Sequence, residues 1–112
     1  MEETLYSLAD LVKISRGNQD FVNRMKRIFV EETQRGLRNI DEALKANDLE
    51  RVAKVAHRMK PSLGNMKISK LDQPIRRLED AHEHYDGMQA DLDLLRGTLN
   101  QVIADLKEEE VN

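Results

Sequence analysis

Cysteine and tryptophan are both absent from this 112-residue chain. The first absence excludes disulfides, a thiolate nucleophile and any cysteine-based zinc or iron–sulfur centre. Aromatic residues make up 4% of the chain against 35% charged, a balance that disfavours a sheet and favours helices around a core of Leu, Ile, Val, Met and Ala. Two prolines and five glycines form no linker, and no internal repeat is visible. The length therefore fits a single domain, residues 1–112, with one core. No apolar run approaches the roughly 18 residues of a membrane span. The start, Met-Glu-Glu, is unlike the basic beginning of a secretory signal. The expectation is a cytoplasmic protein without membrane insertion. A Walker-type glycine-rich loop is also missing, the glycines falling at expected helix ends and at one site position, so the chain lacks a nucleotide site of its own.

What the chain does have is helical periodicity. Ser7 followed by Asp10 resembles a capping box, and Leu8, Leu11, Val12 and Ile14 suggest a short cap helix over about residues 7–16, ending at Gly17. Asn18 can cap a long helix with Phe21, Met25, Ile28, Phe29, Leu37, Ile40 and Leu44 at three- and four-residue spacing. Asn47 and Asp48 make a turn and the next N-cap. A third helix from about Leu49 buries Leu49, Val52, Ala53, Ala56, Met59, Leu63 and Met66. Ser69 or Asp72 caps a fourth, with Pro74 tolerated in a loose first turn. Its stripe is Leu71, Ile75, Leu78, His82 and Tyr85, and Gly87 ends it. Met88, Leu92, Leu95, Leu99, Val102 and Leu106 mark the last helix, which runs into an acidic end at Asp105, Glu108, Glu109 and Glu110. Four such helices with short connections over about residues 18–109 predict an all-α, antiparallel up-down four-helix bundle with the short N-terminal cap helix on one end. With its apolar stripes used inside the bundle, the chain is expected to be a monomer.

One stretch breaks the acidic balance of the whole. The net charge is −3, yet residues 51–70 hold six Lys or Arg and no Asp or Glu. His57 lies in this window at the border of the third helix's apolar stripe, on a ridge with Ala53, Pro61 and Gly64, all small enough to let a folded partner approach the imidazole. A neutral imidazole is a good nucleophile near pH 7, and its phosphoramidate can pass the phosphoryl group on. Phosphoryl transfer needs mainly positioning and positive charge at the equatorial oxygens. Lys60, one turn on, can supply that charge, with Arg58 and Lys54 strengthening the field. The Ser62 hydroxyl can either bond the phosphoryl group or back-bond to the carbonyl of residue 58.

The run Ala56-His57-Arg58-Met59-Lys60-Pro61-Ser62, read as A-H-x-x-K-x-S and preceded by the helix starts GNQDF and ANDLE, resembles the histidine-containing phosphotransfer (HPt) domain of two-component phosphorelays over nearly the whole chain. The resemblance implies a four-helix bundle with a cap helix. It implies that His57 takes a phosphoryl group on Nε2 from a receiver domain's aspartyl phosphate and returns it to another receiver's Asp. It makes Lys60 the lysine that steadies the phosphoryl group. It also places a Gln or Glu 22 residues after the histidine, which is Glu79 here, on the other ring nitrogen, where a carboxylate would set the tautomer that leaves Nε2 free. The implied partners are response-regulator receiver domains, with a hybrid sensor histidine kinase in cis or trans. The chain would be a phosphocarrier without a cofactor of its own, Mg2+ belonging to the receiver. Two positions depart from the pattern: Pro61 and Lys67 stand where the family usually has Gly. Pro61 removes an amide that would bond the His57 carbonyl, so a local kink is expected.

Other readings are weaker on the residues. A helical adaptor that binds receivers without exchanging phosphate uses the same basic face. Nucleic-acid binding is disfavoured by the overall acidity and by the lack of aromatics among the basic residues. His82 and His84 would point about 200° apart on a helix, which argues against a shared metal ion. Met25, Met59, Met66 and Met88 fall on the apolar stripes as core.

Overall fold

The computed structural model describes residues 5–111, with side chains placed as far as Glu108. The side chains of Glu109 and Glu110, in the expected acidic end, lie outside the described residues. The order is α1 (Ala9–Ser15), α2 (Gln19–Lys45), α3 (Leu49–Asn65), a 3-10 turn (Ser69–Leu71), α4 (Asp72–Glu79) and α5 (Met88–Val111). No strand occurs among the described residues. α2 packs against α3 and α5, α4 packs against the same two helices, and α1 lies on α2. The bundle is therefore all-α, with the short first helix as its cap.

Two of the expected caps form. The Asn18 side chain accepts from the Phe21 amide at 3.1 Å, and Asp48 accepts from the Arg51 amide at 3.1 Å. Each satisfies an amide left over at a helix start. The core is the expected stripe of α5, all buried from Met88 to Leu106, set against Val52, Ala56, Met59 and Leu63 of α3, Leu71, Ile75 and Leu78 around α4, and Phe29, Leu37 and Ile40 of α2. No helix among the described residues is long and apolar enough to cross a membrane.

The structure departs from the expected elements at several places. The Ser7 capping box does not form: Leu8 occupies the cap position, the Ser7 hydroxyl accepts from the Ala9 amide, and Asp10 instead faces Lys67 at 3.5 Å. α1 is only seven residues long and lays one narrow face on α2. Leu11 is thus buried while Val12 and Ile14 stay exposed, as does Ile28 of α2. Neither Ser69 nor Asp72 caps α4; the loose first turn is the 3-10 turn, which feeds α4 directly.

α4 itself stops at Glu79, eight residues before Gly87. Beyond it come Asp80, Glu83 and Asp86, acids that a helix C-terminus disfavours, together with weak helix formers. Tyr85 also gains a partner by leaving the helix, its hydroxyl reaching Asp91 at 2.7 Å. His82 is consequently an exposed loop residue rather than part of a stripe, and His84 meets Asn47 at 3.4 Å. Gly36 and Gly97 lie inside helices rather than at their ends. Gly36 has a packing reason: a Cβ there would stand 2.9 Å from Sδ of Met59, so the missing side chain lets α2 and α3 approach.

Lys67 turns the chain out of α3 with φ of +56°, the left-handed region that glycine enters without steric cost. Its ion pair with Asp10 is about half exposed and compensates little. Lys67→Gly is expected to stabilise the protein by about 1 kcal/mol, measured as a rise in the urea unfolding midpoint at unchanged slope.

Candidate functional site

α3 turns its Val52, Val55, Ala56, Met59 and Leu63 face inward, which leaves His57 on the outer side. The His57 side chain is 69% exposed. Pro61 sits inside α3, one turn beyond His57, and the helix continues to Asn65. On the outer ridge Ala53 is half-buried and Pro61 and Gly64 are exposed. A Cβ added at Gly64 would meet nothing within 4 Å. The surface around the imidazole is low and open.

The partner element is α4. Its Leu78 and Ile75 are anchored in the core, and the next residue, Glu79, faces α3. There the Glu79 carboxylate accepts from His57 Nδ1 through Oε1 and from the Lys60 ammonium through both oxygens, at 2.9 and 2.7 Å. The Glu79 side chain is only 17% exposed, far less than either donor. Lys60 first, and His57 second, hold its carboxyl below the ordinary value of 4.5, against the opposing effect of burial. His57, Lys60 and Glu79, three residues from two helices, thus converge on one carboxylate.

The arrangement has a direct chemical consequence. A carboxylate can only accept, so the ring nitrogen facing it carries the proton. In the neutral ring the lone pair is then on Nε2, the tautomer suited to nucleophilic attack.

The other basic residues lie around this centre without entering it. Lys54 faces Glu50 at 3.5 Å, one turn away on the same helix. Arg58 is exposed and has no ion-pair partner among the described residues. Ser62 is roughly 140° round the helix from His57, on the α2 side. There it lines a groove of about 210 Å³ with Arg58, Glu32, Arg35 and Asn39. Among the described residues no group of three or more His, Asp or Glu is placed to hold a metal ion.

A second ionic cluster had no signature in the sequence reading. Arg77 forks onto Asp91 at 2.8 and 2.9 Å, and Tyr85 donates to the same carboxylate. Asp91 is 6% exposed. The Arg77 guanidinium holds its carboxyl below the ordinary value, with Tyr85 assisting against burial. Burial first, then Asp91, raises the Tyr85 phenol above its ordinary value. Tyr85 is expected on the apolar stripe of the fourth helix, and no local spacing pairs Arg77 or Tyr85 with Asp91.

A family model described as the Hpt domain matches residues 24–109. No curated protein and no solved structure matches the chain.

The two depressed carboxyls set an acid limit on folding. A carboxyl held below its ordinary value in the folded state contributes stability that is fully present above that value and is lost as pH falls through the depressed one. Unfolding midpoints measured between about pH 6 and pH 2 should therefore fall steeply on the acid side. Asp91→Asn and Glu79→Gln should each flatten that fall, while lowering stability at neutral pH.

Proposed function

The chain belongs to the Hpt domain family, the phosphotransfer modules of two-component signalling that work with receiver domains and are carriers rather than enzymes, and from that premise we propose that it is a phosphorelay intermediate carrying the phosphoryl group on Nε2 of His57. The observation that carries the reading is the shared carboxylate: Glu79 on Nδ1 and on Lys60. It prepares the nucleophile and the nearest positive charge together.

In the proposed step the Nε2 lone pair attacks phosphorus of a receiver's aspartyl phosphate. The N–P bond forms as the bond from phosphorus to the aspartyl oxygen breaks, and the aspartate carboxylate is regenerated. No proton has to leave. The Nδ1 proton stays on its bond to Glu79, whose charge balances the phosphorylated ring. Lys60 can turn from Glu79 to the equatorial phosphoryl oxygens, where charge is greatest in a loose transition state. Donation to a second receiver is the same step reversed. Ala53, Pro61 and Gly64 permit the close approach that in-line geometry requires. Lys54 and Arg58 add a positive field for an acidic receiver pocket. The divalent cation of the reaction belongs to the receiver in this reading, and the chain acts as a monomer in the cytoplasm.

The test is transfer of label from a phosphorylated receiver domain to the protein and its variants. His57→Gln should abolish labelling while preserving receiver binding, and the parent's label should be acid-labile and base-stable. Lys60→Ala should slow transfer by about 100-fold, the scale of losing one charged donor to a developing oxyanion. Binding without any transfer would replace this reading with the adaptor one.

A further inference from the structure

α4 is eight residues long, too short to hold its own orientation without tertiary contacts. Its apolar side sinks Ile75 and Leu78 into the core, which sets its depth. Rotation about its own axis is constrained by that face, which also buries Pro74, and by the two flanks. Glu79 leaves one flank toward α3, and Arg77, two residues earlier and so about 200° round the helix, leaves the other toward α5.

The Arg77 flank is the better anchored. Its guanidinium fork meets both oxygens of Asp91, a two-point contact that fixes direction as well as distance. Asp91 lies in the first turn of α5, almost wholly buried, next to Leu92 in the core. The connection between α4 and α5 is drawn into the same contact. Tyr85 donates its hydroxyl to Asp91 at 2.7 Å, and its carbonyl accepts from the Met88 amide at 3.1 Å. The Glu79 flank by contrast depends on two partners that are 69% and 42% exposed and that a phosphoryl group would engage.

We propose that the Arg77–Asp91–Tyr85 cluster is a positioning device for Glu79, locking the rotation of α4 so that its carboxylate stays on His57 Nδ1 when Lys60 leaves it. None of the three touches His57; they act through Glu79. The consequence for transfer rests on the carrier reading above, whereas the effect on the His57 tautomer does not.

The full-length chain, labelled with 15N, is titrated by NMR through the ring-nitrogen shifts of His57. Its phosphorylation by phosphoramidate is followed in parallel. Arg77→Gln is the main variant. Tyr85→Phe, which removes a single hydrogen bond and keeps the ion pair, guards against a variant that fails to fold. Both should lose the dominance of the Nδ1-protonated tautomer, and Arg77→Gln should be phosphorylated about 10-fold more slowly, the effect of slight misplacement on an aligned reaction. Tyr85→Phe should show a smaller loss in the same direction. Arg77→Lys, which keeps the charge but not the fork, should fall between Arg77→Gln and the parent. The proposal is overturned when folded Arg77→Gln or Tyr85→Phe protein melts earlier but keeps the parent's tautomer and rate, since the cluster then only staples α4 to α5. A parent that phosphoramidate does not label defeats the carrier reading, and the nitrogen shifts still decide the positioning role.

Discussion

One carboxylate serving two donors is the constraint around which this surface is built. Glu79 has two oxygens, and both are committed: Oε1 to the imidazole and to Lys60, Oε2 to Lys60. Neither donor is buried, so the pairing stabilises the fold only modestly, in the pH range where the Glu79 carboxyl is ionised. Its value is directional. It orients an exposed ring that would otherwise sample several rotamers and both neutral tautomers, and it keeps a cation beside the imidazole.

Such an exposed arrangement needs rigid support from beneath. α3 and α4 supply it through side chains with almost no contact with water: Val52, Ala56 and Leu63 on one helix, Leu71, Ile75 and Leu78 around the other. Each fully buried Val, Leu or Ile side chain contributes about 1.5–3 kcal/mol relative to exposure, more than a surface ion pair supplies. The hydrophobic core thus fixes the separation of the two helices, and the polar groups use that separation. Gly36 belongs to the same logic, since the close approach of α2 to Met59 helps to set the depth of α3.

The two departures from the family pattern are accommodated differently. Pro61 lies on the exposed side of α3, where its ring is out of the core and α3 extends beyond it to Asn65. Its missing amide leaves the His57 carbonyl without the usual helical donor. Lys67 instead occupies a left-handed turn, a backbone position at which glycine is the ordinary choice. Its ammonium faces Asp10 of the cap helix, and the Ser7 amide donates to the Met66 carbonyl at 2.7 Å beside it. The strained turn is therefore also where the N-terminal segment is fastened to α3.

Much of this was legible in the chain itself. Periodicity identified α2, α3 and α5, because a long amphipathic helix repeats its burial pattern often enough to be unambiguous. Local chemistry placed Asn18 and Asp48 at helix starts, since a capping side chain bonds an amide only three residues away. The small ridge around His57 and the acid-free window singled out His57 and Lys60, and the resemblance to the family added Glu79; the structure brings the three together. What local pattern could not supply was the end of α4. Helix continuation through residues 80–87 competes with the bond of Tyr85 to Asp91, and that alternative exists only once α5 is packed alongside. For the same reason the Arg77 contact and the exposure of Val12 and Ile14 were decided by tertiary structure. A sequence states which residues are apolar and how often they recur; which neighbour a polar side chain meets depends on distances between helices, and packing sets those.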